Sequence, residues 1–148
     1  LDPNFLIIAR TDTCRELGLG EAISRINIAA EVGADMGLLF PRTKEEAIEA
    51  VRKSKIPLVY VQSRGNRDSR PLFSQNELED MGYAMCIDAQ IMLLVSFDAQ
   101  LRMLKELKET GDYSLLSQKS NIEIRQQIEN IISLEEYYNI EKLTVEKN

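Results

Sequence analysis

Four apolar runs, each followed by a segment of helical periodicity, constrain this chain more than any other feature. Phe5–Ala9, Met36–Phe40, Leu58–Val61 and Tyr83–Ile87 carry no charged residue. A strand with one wet face alternates polar and apolar residues, whereas a continuous apolar run is the pattern of a strand covered on both faces. The segments between them supply the covers. A helix is predicted from about Gly20 to Val32, with Ala22, Ile23, Ile26, Ala29 and Ala30 on one face and Gly33 as its C-cap. Thr43-Lys44-Glu45-Glu46 is a capping box that opens a second helix with Ala47, Ile48 and Val51 inward. The loop from Gln62 to Pro71 is long and polar. Ser74-Gln75-Asn76-Glu77 opens a short third helix stopped by Gly82. A long fourth helix runs to about Thr110, with Phe97, Leu101, Leu104 and Leu107 at helical spacing and Gly111 beyond. Two further boxes, Ser120–Glu123 and Ser133–Glu136, open two last helices.

That order predicts an α/β protein with parallel strands. Parallel βα units build either an open doubly wound sheet or a barrel. No G-x-G-x-x-G follows the first strand and no G-x-x-x-x-G-K-[ST] is present, so the usual nucleotide signals are missing. An eight-stranded barrel needs about 200 residues or more. Four βα units over residues 1–111 would be half of such a TIM-type (β/α)8 barrel, followed by a C-terminal helical extension over 112–148. The chain opens on Leu1 and enters an apolar strand almost at once, so it is expected to be a piece of a larger protein.

Composition narrows the function classes. Lys and Arg total 18 against 24 Asp and Glu, a net charge of −6, which argues against nucleic acid as a partner because phosphate binding needs a cationic surplus. The run from Ile87 to Phe97 contains Asp88 and Gln90 and falls short of a membrane span. Cys14 and Cys86 lack C-x-x-C spacing; they are expected to be free thiols in a reducing, cytoplasmic compartment, packed as small apolar side chains. With no His in the sequence, a Ser-His-Asp triad, a Cys-His pair and a His-ligated zinc site are excluded within this chain.

Catalytic groups of parallel α/β folds stand at the C-terminal ends of the strands. The candidates are Arg10 and Asp12, then Arg42, then Gln62, Ser63 and Arg64, then Asp88. Several arginines at one mouth suit a substrate with carboxylate or phosphate groups, which guanidinium binds bidentately. The plainer alternative is a local ion pair between Arg10 and Asp12.

The run Asp2-Pro3-Asn4-Phe5-Leu6-Ile7-Ile8-Ala9-Arg10-Thr11-Asp12 resembles the D-P-x-F-x-I-x-A-R-T-D segment of the isocitrate lyase/phosphoenolpyruvate mutase superfamily. Glu21–Arg25, Gly33–Met36, Phe40-Pro41, Pro71–Ser74, Glu77-Leu78 and Gly82-Tyr83 follow in the family's order. Leu134-Glu135-Glu136-Tyr137-Tyr138 is similar to the closing helix of the smaller, methylisocitrate lyase-like members. The resemblance implies the C-terminal half of the barrel and metal-assisted chemistry on 2-oxo or 2-hydroxy carboxylates. It makes Arg10 the catalytic and substrate-holding arginine and Ser63 the hydroxyl that binds a substrate carboxylate; Arg42 and Gln62 join the expected substrate site as residues at the same strand ends. It implies Mg²⁺ as cofactor, held by residues upstream of Arg10 in the family, with no metal ligand in this chain. It also implies a homo-oligomer with an exchanged C-terminal helix.

Several positions depart from the family pattern. Phe40-Pro41-Arg42 stands where F-P-E is usual, putting a cation in place of an anion. Val61-Gln62-Ser63 stands for the N-x-[ST] element, and the loop Arg64–Arg70 is longer. The expected function is a Mg-dependent carbon–carbon lyase or decarboxylase working through an enolate-like intermediate. Two alternatives remain: a phosphonate-handling mutase or hydrolase, favoured by Arg42 and the arginines at 64, 67 and 70, and a degenerate, non-catalytic barrel.

Overall fold

The computed structural model describes residue 2, residues 4–113 and residues 116–145. Leu1 and Pro3 of the opening segment, and 114–115 and 146–148 of the expected extension, lie outside the described residues. The chain forms two compact units, Leu1–Leu94 and Val95–Asn148. The division falls inside a helix, upstream of the boundary read from the sequence.

In the first unit β1 (Ile8–Arg10), β2 (Met36–Leu38), β3 (Leu58–Gln62) and β4 (Met85–Asp88) make one sheet in the order β1-β2-β3-β4. All three pairings are parallel, with Ile8 opposite Met36, Leu38 opposite Val59 and Tyr60 opposite Cys86. Each strand is added on the same side of the one before it. A doubly wound sheet reverses its direction at a switch point, whereas a barrel does not. The sequential order therefore resolves the two α/β options in favour of consecutive barrel units.

Helices α1 (Cys14–Glu31), α2 (Lys44–Lys53) and α3 (Gln75–Met81) connect the strands. Between sheet and helices lies a core of Ile23, Ile26, Leu39, Leu58, Tyr60 and Tyr83, closed by Ala22, Ala47 and Ala50, which are fully buried. Met36, Leu38 and Val59 pack together as a separate cluster, with Ile8, Phe40 and Val61 against it. Side chains alternate across a strand, so Leu58, Tyr60 and Gln62 share one face of β3 and Val59 and Val61 the other. Gly37 permits the close approach of α1, since a Cβ there would lie 2.5 Å from Ile26 Cγ2 and 2.9 Å from Leu58 Cδ2.

Some of these expectations are corrected. The outer strands are not covered on both faces: β4 is exposed along its length, and β1 is at most half-buried, because both lie at the sheet edges. Phe5, Leu6 and Ile7 stay out of the strand. The N–H of Ile7 donates to the Asp35 carboxylate at 2.8 Å and that of Phe5 to the Asp2 carbonyl at 3.1 Å. α1 is broken at Gly18, whose φ of +82° interrupts the spiral, so the helix expected from about Gly20 forms there, and the short helical stretch before it from Cys14 was not expected. In α2 Ala47 and Ala50 are buried and Val51 packs against the core, while Ile48 is exposed.

The caps divide in the same way. Around Ser74 the box is complete, and Gly82 ends α3 in the left-handed conformation. At Thr43 only half forms: the hydroxyl accepts from Glu46 N–H at 3.2 Å, but the Glu46 carboxylate takes the N–H of Arg42 at 2.6 Å. The boxes at Ser120 and Ser133 do not form. Ser117 caps α5 (Gln118–Ile131) by accepting from Ser120 N–H at 3.1 Å, so Ser120 is already inside the helix. Ser133, before α6 (Leu134–Thr144), adopts φ +52°, because the link from α5 is so short that its backbone must turn the chain. The helix α4 (Ile91–Thr110) extends as expected, with Gly111 at φ +74° beyond it. Among the described residues, α4, α5 and α6 bury no side chain fully. None of the described helices is long and apolar enough to cross a membrane.

Candidate functional site

Three successive strand-to-helix connections meet at the C-terminal ends of the strands around an open cavity of about 300 Å³. The end of β1, the turn after it and the start of α1 contribute Arg10, Asp12 and Arg15, the β2–α2 connection Phe40 and Arg42, and the β3–α3 loop Asp68 and Arg70. Four guanidinium groups face two carboxylates there, which gives the mouth a positive balance although the chain as a whole is acidic.

Arg10 is placed by the strand period, two residues after Ile8 and therefore on the same face. Its Nε and Nη2 donate to Asp12 Oδ1 at 3.2 and 3.0 Å, and its Cζ lies 5.0 Å from the centroid of Phe40. The local ion pair considered from the sequence is thus present. Both members are more than 60% exposed, so it contributes little to stability and leaves the guanidinium open to solvent. Arg42 is held at both ends. Its backbone N–H is fixed by Glu46, and its Nη2 donates to the Asp68 carbonyl at 2.7 Å. Asp68 also accepts from Arg15 Nη1 at 3.4 Å, so it ties the third connection to the first two.

The structure brings Arg10 and Arg42 to one cavity and keeps Gln62 and Ser63 out of its lining. Gln62, 4% exposed, shares the helix-covered face with Leu58 and Tyr60. There its Nε2 donates to the Phe73 carbonyl and its Oε1 accepts from Phe73 N–H at 3.4 Å. Ser63 is buried and its Oγ donates to Gln90 Oε1 at 3.2 Å. Asp88 accepts from the N–H groups of Gln90 and Ile91, capping the start of α4, and its carboxylate is 3.9 Å from Arg64 Nε. Asp68, Arg70, Arg15 and Phe40 were not identified as site residues. The only sequence signals for them were the arginines of the long loop and the position of Arg15 just after Asp12.

Both cysteines are free. Cys14 is buried in the core as expected, and burial pushes its thiol above the ordinary value, so it is no thiolate nucleophile at neutral pH. Cys86 is instead exposed on the edge strand β4. Among the described residues no three His, Cys, Asp or Glu side chains gather in a way that could hold a metal ion. The two carboxylates at the mouth are both engaged by arginines, and such a cationic donor set does not fit Mg²⁺.

Fold and cavity together define a stretch of (β/α)8 barrel with an arginine-lined mouth. Residues 1–108 match the profile of the phosphoenolpyruvate phosphomutase family. The chain is 34% identical over 114 residues to the chloroplastic carboxyvinyl-carboxyphosphonate phosphorylmutase of Arabidopsis thaliana, covering 74% of this chain and 33% of that protein. It is 30% identical over 146 residues to the 2-methylisocitrate lyase of Bacillus subtilis, covering 95% and 45%. The crystal structure of oxaloacetate acetylhydrolase superposes with a TM-score of 0.73 at 28% identity, over 88% of this chain and 48% of that one. The chain therefore belongs to the phosphoenolpyruvate phosphomutase family. It spans a third to about half the length of these relatives.

Proposed function

We propose that this chain supplies the anion-binding wall of a carbon–carbon lyase or decarboxylase acting on a 2-oxo or 2-hydroxy carboxylate, with Mg²⁺ as the cofactor that the family resemblance implies. The observation that carries the proposal is the convergence of four arginines on one mouth at the C-terminal strand ends. Arg10 is the foremost substrate ligand: it is exposed, and Asp12 holds its fork in an orientation that a substrate carboxylate can exploit bidentately. Arg42 adds a second positive charge from the neighbouring connection. Ser63 stands at the same strand ends with its hydroxyl held by Gln90, and Gln62 fixes the β3–α3 loop to Phe73 without touching the substrate. As a bond next to the carboxylate breaks and negative charge grows on an enolate-like form, fixed guanidinium charges stabilise it without reorganising. In this proposal the Mg²⁺ ligands come from residues upstream of Arg10, as the family resemblance implies. The protein is taken to be cytoplasmic, where its thiols stay reduced, and homo-oligomeric through its C-terminal helix.

The test is an assay of the complete protein with Mg²⁺ against oxaloacetate, 2-methylisocitrate and phosphonopyruvate. Cleavage of either of the first two supports the proposal. Turnover of phosphonopyruvate alone favours a phosphonate mutase or hydrolase, the second reading, for which the surplus arginines at 42 and 70 speak. No turnover together with no binding of any of the three leaves a degenerate barrel and refutes both.

A further inference from the structure

Arg70 is the least exposed of the four cavity arginines, with 12% of its side chain accessible against 32% for Arg42 and more than 60% for Arg10 and Arg15. Its Cζ lies 4.7 Å from the centroid of Phe40, the same ring that Arg10 approaches at 5.0 Å. Phe40 thus holds two cations at one place. The Asp68 carboxylate is 3.9 Å from Arg70 Nε, beyond hydrogen-bonding distance. A guanidinium carries five N–H donors, and a buried charge without close partners is costly. Such a group facing a cavity is well disposed to receive an anion.

The loop is built to keep it there. Asn66 clasps both ends, with its Nδ2 donating to the carbonyls of Ser63 at 3.0 Å and Arg70 at 3.3 Å and its Oδ1 accepting from Arg70 N–H at 2.9 Å. One residue on, the Tyr60 hydroxyl donates to the Pro71 carbonyl at 2.6 Å. The backbone of Arg70 is therefore tied to the loop on one side and to β3 on the other. The loop's Arg64 turns elsewhere, towards Asp88.

We infer that Arg70 is a second anion-binding residue of the site, which receives one of the anionic groups that oxaloacetate, 2-methylisocitrate and phosphonopyruvate all carry in at least two copies while Arg10 receives another, and that Asn66 is the positioning residue for Arg70. This rests on the carboxylate-binding role given above to Arg10. Two probes of equal carbon count separate the roles: malonate, a dianion, and propionate, a monoanion, titrated calorimetrically into the complete protein. The wild type is expected to bind malonate more tightly than propionate. Arg70→Gln should weaken malonate by roughly 10- to 100-fold, the scale of a lost charged hydrogen bond, and leave propionate unchanged. Asn66→Ala should weaken malonate in the same selective way, and Arg10→Gln should weaken both. Circular dichroism checks folding. If Arg70→Gln does not fold, Arg70→Lys and Asn66→Ala carry the test, since the first keeps the charge but loses the fork. Folded variants that bind malonate as the wild type does overturn the inference while leaving Arg10 in place. A wild type without preference for malonate overturns it too. If Arg10→Gln also changes neither affinity, the carboxylate reading falls with it.

Discussion

Replacing Gln62 by Ala separates a structural amide from a substrate ligand. The side chain is 4% exposed and both ends of its amide meet the backbone of Phe73, itself buried. Removing the amide orphans a carbonyl and an N–H at once. A buried polar group left without a partner costs about 1–3 kcal/mol, and the N–H contact at 3.4 Å belongs at the weak end, so the loss should total roughly 2–4 kcal/mol. For a domain of barrel size a stability loss of 1 kcal/mol lowers Tm by roughly 2–4 °C, so the expected fall is about 5–15 °C. Thermal melts of the complete protein at pH 7, followed by circular dichroism, measure it. Steady-state kinetics below the lowered Tm should show KM little changed. Gln62→Glu is expected to be destabilising as well, because it keeps the acceptor for Phe73 N–H but sets an oxygen against the Phe73 carbonyl. A Gln62→Ala protein with the wild-type Tm and a KM raised about tenfold, the scale of a lost substrate hydrogen bond, would show that the amide serves the substrate and refute this reasoning.

Arg10→Ala should leave the Tm nearly unchanged, because an exposed pair contributes about 0–1 kcal/mol, yet lower kcat/KM by roughly 10- to 100-fold; a variant that unfolds, or that keeps full activity, makes the Arg10–Asp12 pair merely structural. Burial raises the Tyr60 hydroxyl from 10.0 to about 12. The neutral form is favoured in the folded state, so this contribution to stability is intact below pH 10 and is lost as the pH rises towards 12. Denaturant midpoints for wild type and Tyr60→Phe between pH 9 and pH 11.5 should show a shallower alkaline decline in the variant, and parallel declines would contradict the assignment. Deletion of residues 120–148 should dissociate an oligomer of the complete protein, as read by sedimentation; an unchanged mass would end the assembly proposal.

Much of the first unit was legible because its signals are local. Continuous apolar runs at Leu58–Val61 and Met36–Phe40, the box around Ser74 and the glycine stop at Gly82 act within a few residues, and each produced its element. Local signals also marked Arg10 and Arg42 as residues at strand ends. They misled where a neighbour competes for the same group, as when Glu46 takes the N–H of Arg42 instead of completing the box at Thr43. They were silent on which face a residue joins when a strand is apolar on both sides. Parity puts Gln62 on the face of Tyr60, but nothing in Leu58-Val59-Tyr60-Val61 says that this face meets the helices, because that can be read only when the two faces differ in polarity. Strand order was open for a related reason: barrel and doubly wound sheets share the same βα repeat and differ only in the side on which each strand is added. The sequence by itself therefore determined the alternation of elements and the presence of arginines after apolar strands. Only the tertiary structure decided that the sheet is wound in one direction, and that Arg70, Asp68 and Phe40, distant in the chain, close around Arg10, because such contacts depend on loop paths that no local pattern encodes.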